Sequence, residues 1–392
     1  LLPFSMQMAL MLVLSGVLSQ TAAFRRAVQA LAEMPQTAGQ SIALAVAVAS
    51  ILSYFHWAIG ITMGPLIAVQ FAAAAERKGI QLDFPFLLAT LFAATSVWQY
   101  GLSSSAALLM ATPGHFLEDR TGVWSLGTTI GSLPALAVVI AFPFALVAMA
   151  RWLRPRDAKP LSAFPHAEAL ARDLTGDSVA DTRATGFSGW TERTALFPWL
   201  LAAALGAWLF HHFVTLGSSL ELNSVNAVLL MLALMMQGSI GAFSRAMGRA
   251  VLSCAPIIVL YQLYGGVAGV LQFTSVGEWF ARLFAELATP LSFPLLTALG
   301  GSIIAIFVPS SGGQWVIQGF VTVAAAENVG ASPQLGMLAL GIGDQMGNLL
   351  APFWVVVVAG IARIDFREIF GHVLTYALLW FAIGVGCFTL LR

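Results

Sequence analysis

Phe307-Val-Pro-Ser-Ser-Gly-Gly-Gln-Trp315 and Gly343-Asp-Gln-Met-Gly-Asn-Leu-Leu-Ala-Pro-Phe-Trp354 decide how this chain folds. Both set prolines, glycines and hydrogen-bonding side chains inside segments otherwise apolar enough to cross a bilayer. Each interruption releases backbone polar groups that lipid cannot satisfy, so the broken backbone must be buried in protein or line a wet cavity. Helices broken at mid-depth are where secondary transporters bind their solutes.

Composition supports the same class. Hydrophobic residues make up 59% of the 392 and charged residues 9%, with a mean hydropathy of +0.86, which is a polytopic helical membrane protein rather than a soluble globule. Formal net charge is zero and no basic block is large enough to bind nucleic acid. Cys254 and Cys387 each lie in an apolar run and are expected to be free, buried thiols. No charged segment with a cleavage site marks a signal peptide. Because the apolar run is already under way at Leu1, an N-terminal piece is expected to precede it.

Working outward, the first half (1–150) offers a span near Phe4–Phe24 closed by Arg25-Arg26. Ser41–Ala75 follows, about 35 nearly uncharged residues, too long for one upright helix and short for two full crossings. A re-entrant helical hairpin over 41–75 fits that length and the interruptions at His56, Gly60 and Gly64-Pro65. A broken span over 84–113 is interrupted at Trp98-Gln-Tyr-Gly-Leu-Ser-Ser-Ser105, and Ile130–Ala150 returns. Residues 151–194 read as a polar cytoplasmic linker and 195–222 as a connecting helix. The second half (223–392) repeats the plan: spans near 224–240 and 251–273, an amphipathic stretch Val276–Leu287 expected to lie in the interface, a second hairpin over 290–327, a broken span over 335–361 and a last span, Val373–Leu391.

Charge favours hairpins over single crossings. With both segments entering and leaving on one side, Arg25-Arg26, Arg77-Lys78, the Arg151–Lys159 cluster, Arg245 with Arg249, and Arg363 with Arg367 all share one face, which the positive-inside rule makes cytoplasmic. The expected fold is therefore an all-α membrane protein of inverted-topology repeats, with two re-entrant hairpins and two discontinuous transmembrane helices meeting near the midplane.

The four breaks collect the candidate site. Ser103, Ser104, Ser105, Ser310, Ser311, Gly312, Gly313, Gln314, Trp57, Trp315 and Asn348 are the expected solute-binding residues, and Asp344, Gln345 and His56 the expected ion- or proton-coupling residues. Helix N-termini with hydroxyls and amides bind one carboxylate without a fixed cation. With no Arg or Lys in any break, a small monocarboxylate with an apolar tail suits the site better than a dicarboxylate or phosphate. Asp344 is the one acidic residue placed near mid-membrane, and such carboxylates commonly mark ion or proton pathways. The alternative is that it caps the half-helix after Gly341-Ile-Gly343. His56 and the tryptophans have packing readings too, and serines in apolar helices often bond back to the preceding turn. No metal site is assembled by the histidines and cysteines.

The motifs Trp57 with Gly60 and Gly64, Gly101-Leu-Ser-Ser-Ser-Ala106 running into Ala111-Thr-Pro-Gly114, Asn223-Ser-Val-Asn226, Val308-Pro-Ser-Ser-Gly-Gly-Gln-Trp-Val-Ile-Gln-Gly319, and Asp344-Gln345 with Asn348 and Pro352-Phe-Trp354 resemble the short-chain fatty acid transporter family of the ion transporter superfamily. The resemblance implies carriage of short-chain monocarboxylates such as acetoacetate or butyrate in a bacterial inner membrane, with Na+ or H+ as coupling ion and no other cofactor. His56, Ser311, Gln314, Asp344 and Met346 stand where that family often has Asn, Gly, His, Glu and Trp. Implied partners are the monocarboxylate and the lipid bilayer; self-association into a homo-oligomer is left open. The competing readings are a carrier of the same architecture for a dicarboxylate or inorganic cation, a channel, and an intramembrane enzyme. The last needs a nucleophile–base pair, and Ser311 has no histidine near it in sequence.

Overall fold

The structure, a computed structural model, describes residues 2–175, 186–218, 220–251 and 288–391, with scattered positions between 258 and 279. The expected span over 251–273 and the interfacial helix over 276–287 lie largely outside the described residues, as does Cys254; Cys387 is free and partly buried. Among the described residues every regular element is helical. Among the described residues six helices are long and apolar enough to cross a membrane, or seven if one bent pair counts as a span.

Helices α1 (Leu2–Ser19) and α2 (Ala22–Ala32) lead into the first hairpin, α3 (Ala38–Phe55) and α4 (Trp57–Arg77). The chain reverses at a single residue: His56 is extended (φ −156, ψ 120), ending α3 while its ring caps the first turn of α4. At 18 and 21 residues the arms are about 27 and 32 Å long, more than the sequence suggested for a half-crossing. They pack face to face, and a Cβ built on Gly60 would lie 2.5 Å from Ser53 Oγ. Gly64-Pro65 does not break the hairpin; Pro65 sits inside α4.

α5 (Phe84–Ala94) starts under an Asp83 cap, tightens into a 3-10 segment Thr95–Tyr100, passes through extended backbone at Gly101 and restarts as α6 (Ser105–Ala111). α7 (Leu133–Leu153) follows. The described parts of the linker are more regular than its composition suggested. It carries α8 (Pro165–Thr175) and α9 (Gly186–Arg193), and Lys159 clips it to two other elements. The Lys159 backbone N–H donates to Asp83 Oδ2 at 2.9 Å, and its ammonium pairs with Glu368 at 2.6 Å.

The second half runs α10 (Leu196–Phe210), α11 (Leu222–Gln237), α12 (Ile240–Ala250), α13 (Phe293–Ala305), α14 (Ser311–Val329), α15 (Pro333–Leu350), α16 (Pro352–Ile361) and α17 (Arg367–Leu390). Proline chemistry explains two of its breaks. Pro309 and Ser310 separate α13 from α14, and Ser310 Oγ accepts from Gly313 N–H. Pro352 lacks an N–H and pushes Ala351 into the extended region, so α15 and α16 meet at 58°.

Close packing of α13 on α15 depends on glycine. A Cβ at Gly343 would lie 1.9 Å from Ala298 O, and one at Gly347 2.3 Å from Ala305 Cβ. This overturns the reading of Asp344 as a helix cap: α15 is continuous through Gly341-Ile-Gly343, whose glycines admit neighbouring elements instead of ending the helix.

Candidate functional site

Two helix starts face each other through direct bonds. The Trp57 backbone N–H, the first of α4, donates to Ser103 Oγ at 2.8 Å, and the Leu102 N–H donates to Tyr54 O at 2.8 Å. The first hairpin tip is thereby stitched to the break between α5 and α6. At the second tip, a Cβ on Gly312 would lie 3.1 Å from Ser105 Cβ, so the starts of α14 and α6 touch. Trp354, in the first turn of α16, donates its indole N–H to Pro309 O at 2.9 Å and lies 6.4 Å from Trp57, ring to ring. The N-terminal ends of α4, α6, α14 and α16 therefore gather in one region, each presenting the positive end of a helix dipole.

The sequence-predicted residues divide by what their side chains do. His56, Trp57, Ser103, Ser104, Ser105, Ser311, Gln314, Trp315, Asp344, Gln345 and Asn348 are all buried. Trp57 packs 6.3 Å from Trp98, and Trp315 packs 6.2 Å from Trp124. Neither indole N–H has a protein acceptor. His56 Nδ1 lies 2.9 Å from Ser15 Oγ on α1 and 3.3 Å from the Ala58 N–H, while its Nε2 is buried without a partner. Gln314 braces the second hairpin, donating to Gly301 O (2.7 Å) and Gln318 Oε1 (2.6 Å). Ser310 and Gly313 form the cap of α14, and Gly312 admits Phe4 of α1, whose ring a Cβ there would meet at 2.5 Å.

Asp344 lies inside α15, one turn before Asn348, whose amide donates to Asp344 Oδ2 at 3.0 Å. The Ser311 hydroxyl faces the same carboxyl group. Gln99, in the 3-10 segment, donates to Ser311 Oγ at 3.0 Å, and Gln345 donates to Ser96 Oγ at 3.0 Å. The chain Gln99–Ser311–Asp344–Asn348 thus joins the 3-10 segment Thr95–Tyr100 to α14 and α15. Gln99 and Ser96 escaped the sequence reading, which weighed the serine triplet ahead of the amide beside Trp98. A buried glutamine in an apolar span was the available signal.

On the side of the molecule beyond α6, the loop 112–131 is strapped over α14. Arg120 pairs with Glu327 through both carboxylate oxygens (2.6 and 3.4 Å) and lies 5.1 Å over the Phe320 ring. Phe116 packs on Gly319. His115 holds this loop together, donating from Nε2 to Gly122 O at 3.1 Å and accepting at Nδ1 from Leu117 N–H at 3.2 Å. Burial pushes its pKa below the ordinary histidine value.

Comparison with known proteins places the chain among transporters. The family model for the short chain fatty acid transporter matches residues 1–391. A Haemophilus influenzae protein provisionally named a short-chain fatty acid transporter is 30% identical over 386 residues, covering 96% of this chain and 84% of its own. An Escherichia coli protein with the same provisional name is 28% identical over 400 residues, covering 99% and 87%. Among solved structures, the fold is similar to the Alcanivorax borkumensis YdaH transporter (TM-score 0.62, 16% identity, 98% of this chain and 84% of that one). It is also similar to Neisseria gonorrhoeae MtrF, described as illuminating a class of antimetabolite efflux pumps (TM-score 0.58, 14% identity, 98% and 80%).

Proposed function

The chain belongs to the short-chain fatty acid transporter family, and on that premise we propose that it is a secondary active carrier of short-chain monocarboxylates such as acetoacetate or butyrate in a bacterial inner membrane. The observation that carries the reading is the gathering of four helix N-termini, at Trp57, Ser105, Ser311 and Pro352, in a region where, among the described residues, no lysine or arginine is buried. Such a site holds one negative charge by backbone N–H groups and dipoles. A second carboxylate would be left without a counter-charge, which disfavours dicarboxylates.

In this reading the two hairpins are re-entrant, the two repeats are inverted in the membrane, and α5–α6 and α15–α16 are discontinuous spans whose breaks meet at mid-depth. The solute carboxylate takes the orphan donors, which are the indole N–H of Trp57 and of Trp315 and His56 Nε2 in the tautomer where Nδ1 accepts from Ala58, together with the hydroxyls of Ser103 to Ser105. Its apolar tail lies against Trp57, Trp98 and Trp354. Asp344, with Gln345, serves the coupling Na+ or H+. Closure of the tips around the solute and reopening on the other side completes the cycle.

The experiment is uptake of labelled butyrate into proteoliposomes. Saturable uptake competed by acetoacetate and not by succinate is expected. Competition by succinate without competition by acetoacetate assigns a dicarboxylate carrier, and conductance that does not saturate assigns a channel.

A further inference from the structure

The Trp315 indole is buried and its N–H meets no protein acceptor. An indole carries one donor and turns about two side-chain torsions, so the packing around the ring decides where that donor points. Three neighbours hold this one. Gly319 stands one turn further along α14 on the same face, and the Cβ it lacks would lie 3.1 Å from Trp315 Cε2. The Phe116 ring closes the other side of that gap, with its Cζ also 3.1 Å from the same point. Trp124 packs on the indole with ring centroids 6.2 Å apart, tilted by 51°. Both aromatic neighbours come from the loop after α6.

That loop is built to hold a position. It closes on itself where the Trp124 backbone N–H donates to Met110 O, in the last turn of α6, at 2.9 Å. Inside it, the Trp124 indole N–H donates to Thr121 O at 3.3 Å, and the Thr121 hydroxyl donates to Leu117 O at 3.0 Å. At its far end Arg120 grips Glu327 and lies over Phe320. Glu327 is about 18 Å further along α14 than Trp315, so one compact loop runs against this helix from its outer end to within about a turn of Ser311. Trp124 and Phe116 are its inward-reaching side chains.

The two indoles of the pair differ in what they do with their donors. Trp124 uses its N–H within the loop and offers Trp315 only its ring, whereas Trp315 keeps a buried donor unused. Core packing alone gives no reason for that difference, because burying an unsatisfied donor is unfavourable. A ring clamped from two sides with its donor left over is a ring kept in place for a ligand.

We propose that Trp124 is a positioning residue for the solute: seated by the loop after α6, it fixes the Trp315 indole so that its N–H stays aimed at the solute carboxylate. This rests on the carrier reading above, in which that N–H is one of the carboxylate's donors, and it identifies the residue that holds the donor still. A donor ordered on folding need not be ordered again on binding, which strengthens the complex without any new contact to the solute. Trp124 acts on the carboxylate end, which every fatty acid shares. Its effect is therefore independent of chain length.

The test is a double-mutant cycle in equilibrium binding of labelled butyrate to the purified full chain in nanodiscs, with acetate and hexanoate as competitors. Trp124→Ala should raise Kd for butyrate by about fivefold to tenfold, and by the same factor for acetate and hexanoate. Trp124→Phe, which keeps a flat ring against Trp315, should restore most of the affinity. In a Trp315→Phe background, where the N–H is gone, Trp124→Ala should have no further effect. Additive losses in the cycle, or a loss that grows or shrinks with chain length, would overturn the positioning role and make Trp124 a packing residue or a wall for the tail. Thermal unfolding verifies that each variant is folded, and Trp124→Leu takes the place of Trp124→Ala in the cycle should the alanine variant not fold. Absence of butyrate binding by the parent protein overturns the carrier reading and the positioning role with it, whereas binding by the parent with an additive cycle overturns the positioning role alone.

Discussion

Tyr54 and Gly101 meet backbone to backbone: a Cβ on Gly101 would lie 2.3 Å from the Tyr54 carbonyl oxygen and 2.9 Å from its Cα. The first hairpin tip and the first broken helix are in contact there without intervening side chains, and the same carbonyl accepts from Leu102 N–H. Neither backbone can withdraw without losing the Trp57–Ser103 bond. Gly101→Ala should therefore destabilise the fold by about 1–3 kcal/mol or more. Thermal unfolding in detergent reads this, and a melting temperature equal to the parent's would refute the close approach.

Trp57→Phe keeps the ring's packing against Trp98 and Trp354 and removes one orphan indole N–H. If that N–H binds the solute equally in all states of the cycle, KM for butyrate rises by about fivefold to tenfold with little change in maximal rate. An unaltered KM would return Trp57 to a packing role.

Arg120 and Glu327 join the loop after α6 to α14, one-third and nearly half exposed. A bidentate pair with an aromatic ring beneath it is better than a typical surface bridge, yet solvent still screens it. A double-mutant cycle of Arg120→Ala and Glu327→Ala, read by thermal unfolding, should give a coupling of about 0.5–1 kcal/mol. Additive single variants would mean the pair contributes nothing.

His115 makes the same loop pH-dependent. Its folded pKa is held below the unfolded value of about 6.5 by burial. The stability it contributes is therefore complete above that value and is lost as pH falls from it through the lower folded pKa, because the unfolded loop takes up a proton first. Hydrogen exchange across residues 114–124, corrected for intrinsic rates, should accelerate as pH falls below about 6.5 and should lose this dependence in His115→Gln. Equal protection of the parent across that range would contradict the assignment.

What the sequence disclosed depended on how each break is made. Pro309 and Pro352 act through bond geometry that holds in any context, so the second tip and the α15–α16 bend were legible from residue type alone. His56 was harder, because nothing in its propensity stops a helix. It breaks one by capping α4 with its ring and leaning on Ser15, a residue 41 positions away. Gly341 and Gly343 misled in the other direction, since glycine that admits Gln99 and Ala298 looks in sequence like glycine that ends a helix. The partners of Asp344 were half visible: Asn348 shares its helical face, whereas Gln99 and Ser311 come from segments that only the fold brings near. The arms α3 and α4 are longer than the hydropathy pattern implied because their polar ends, from Thr37 and up to Arg77, continue the helices past the apolar run.

α1 touches both tips, with Phe4 set against Gly312 and Ser15 against His56. These residues stand three turns apart, about 16 Å along one rigid rod. A push on either end is felt at the other as a tilt of the whole rod, much as a lever reports one arm's height to its opposite arm. The two halves of the protein can thereby keep step through a single straight helix that need not touch the solute at all.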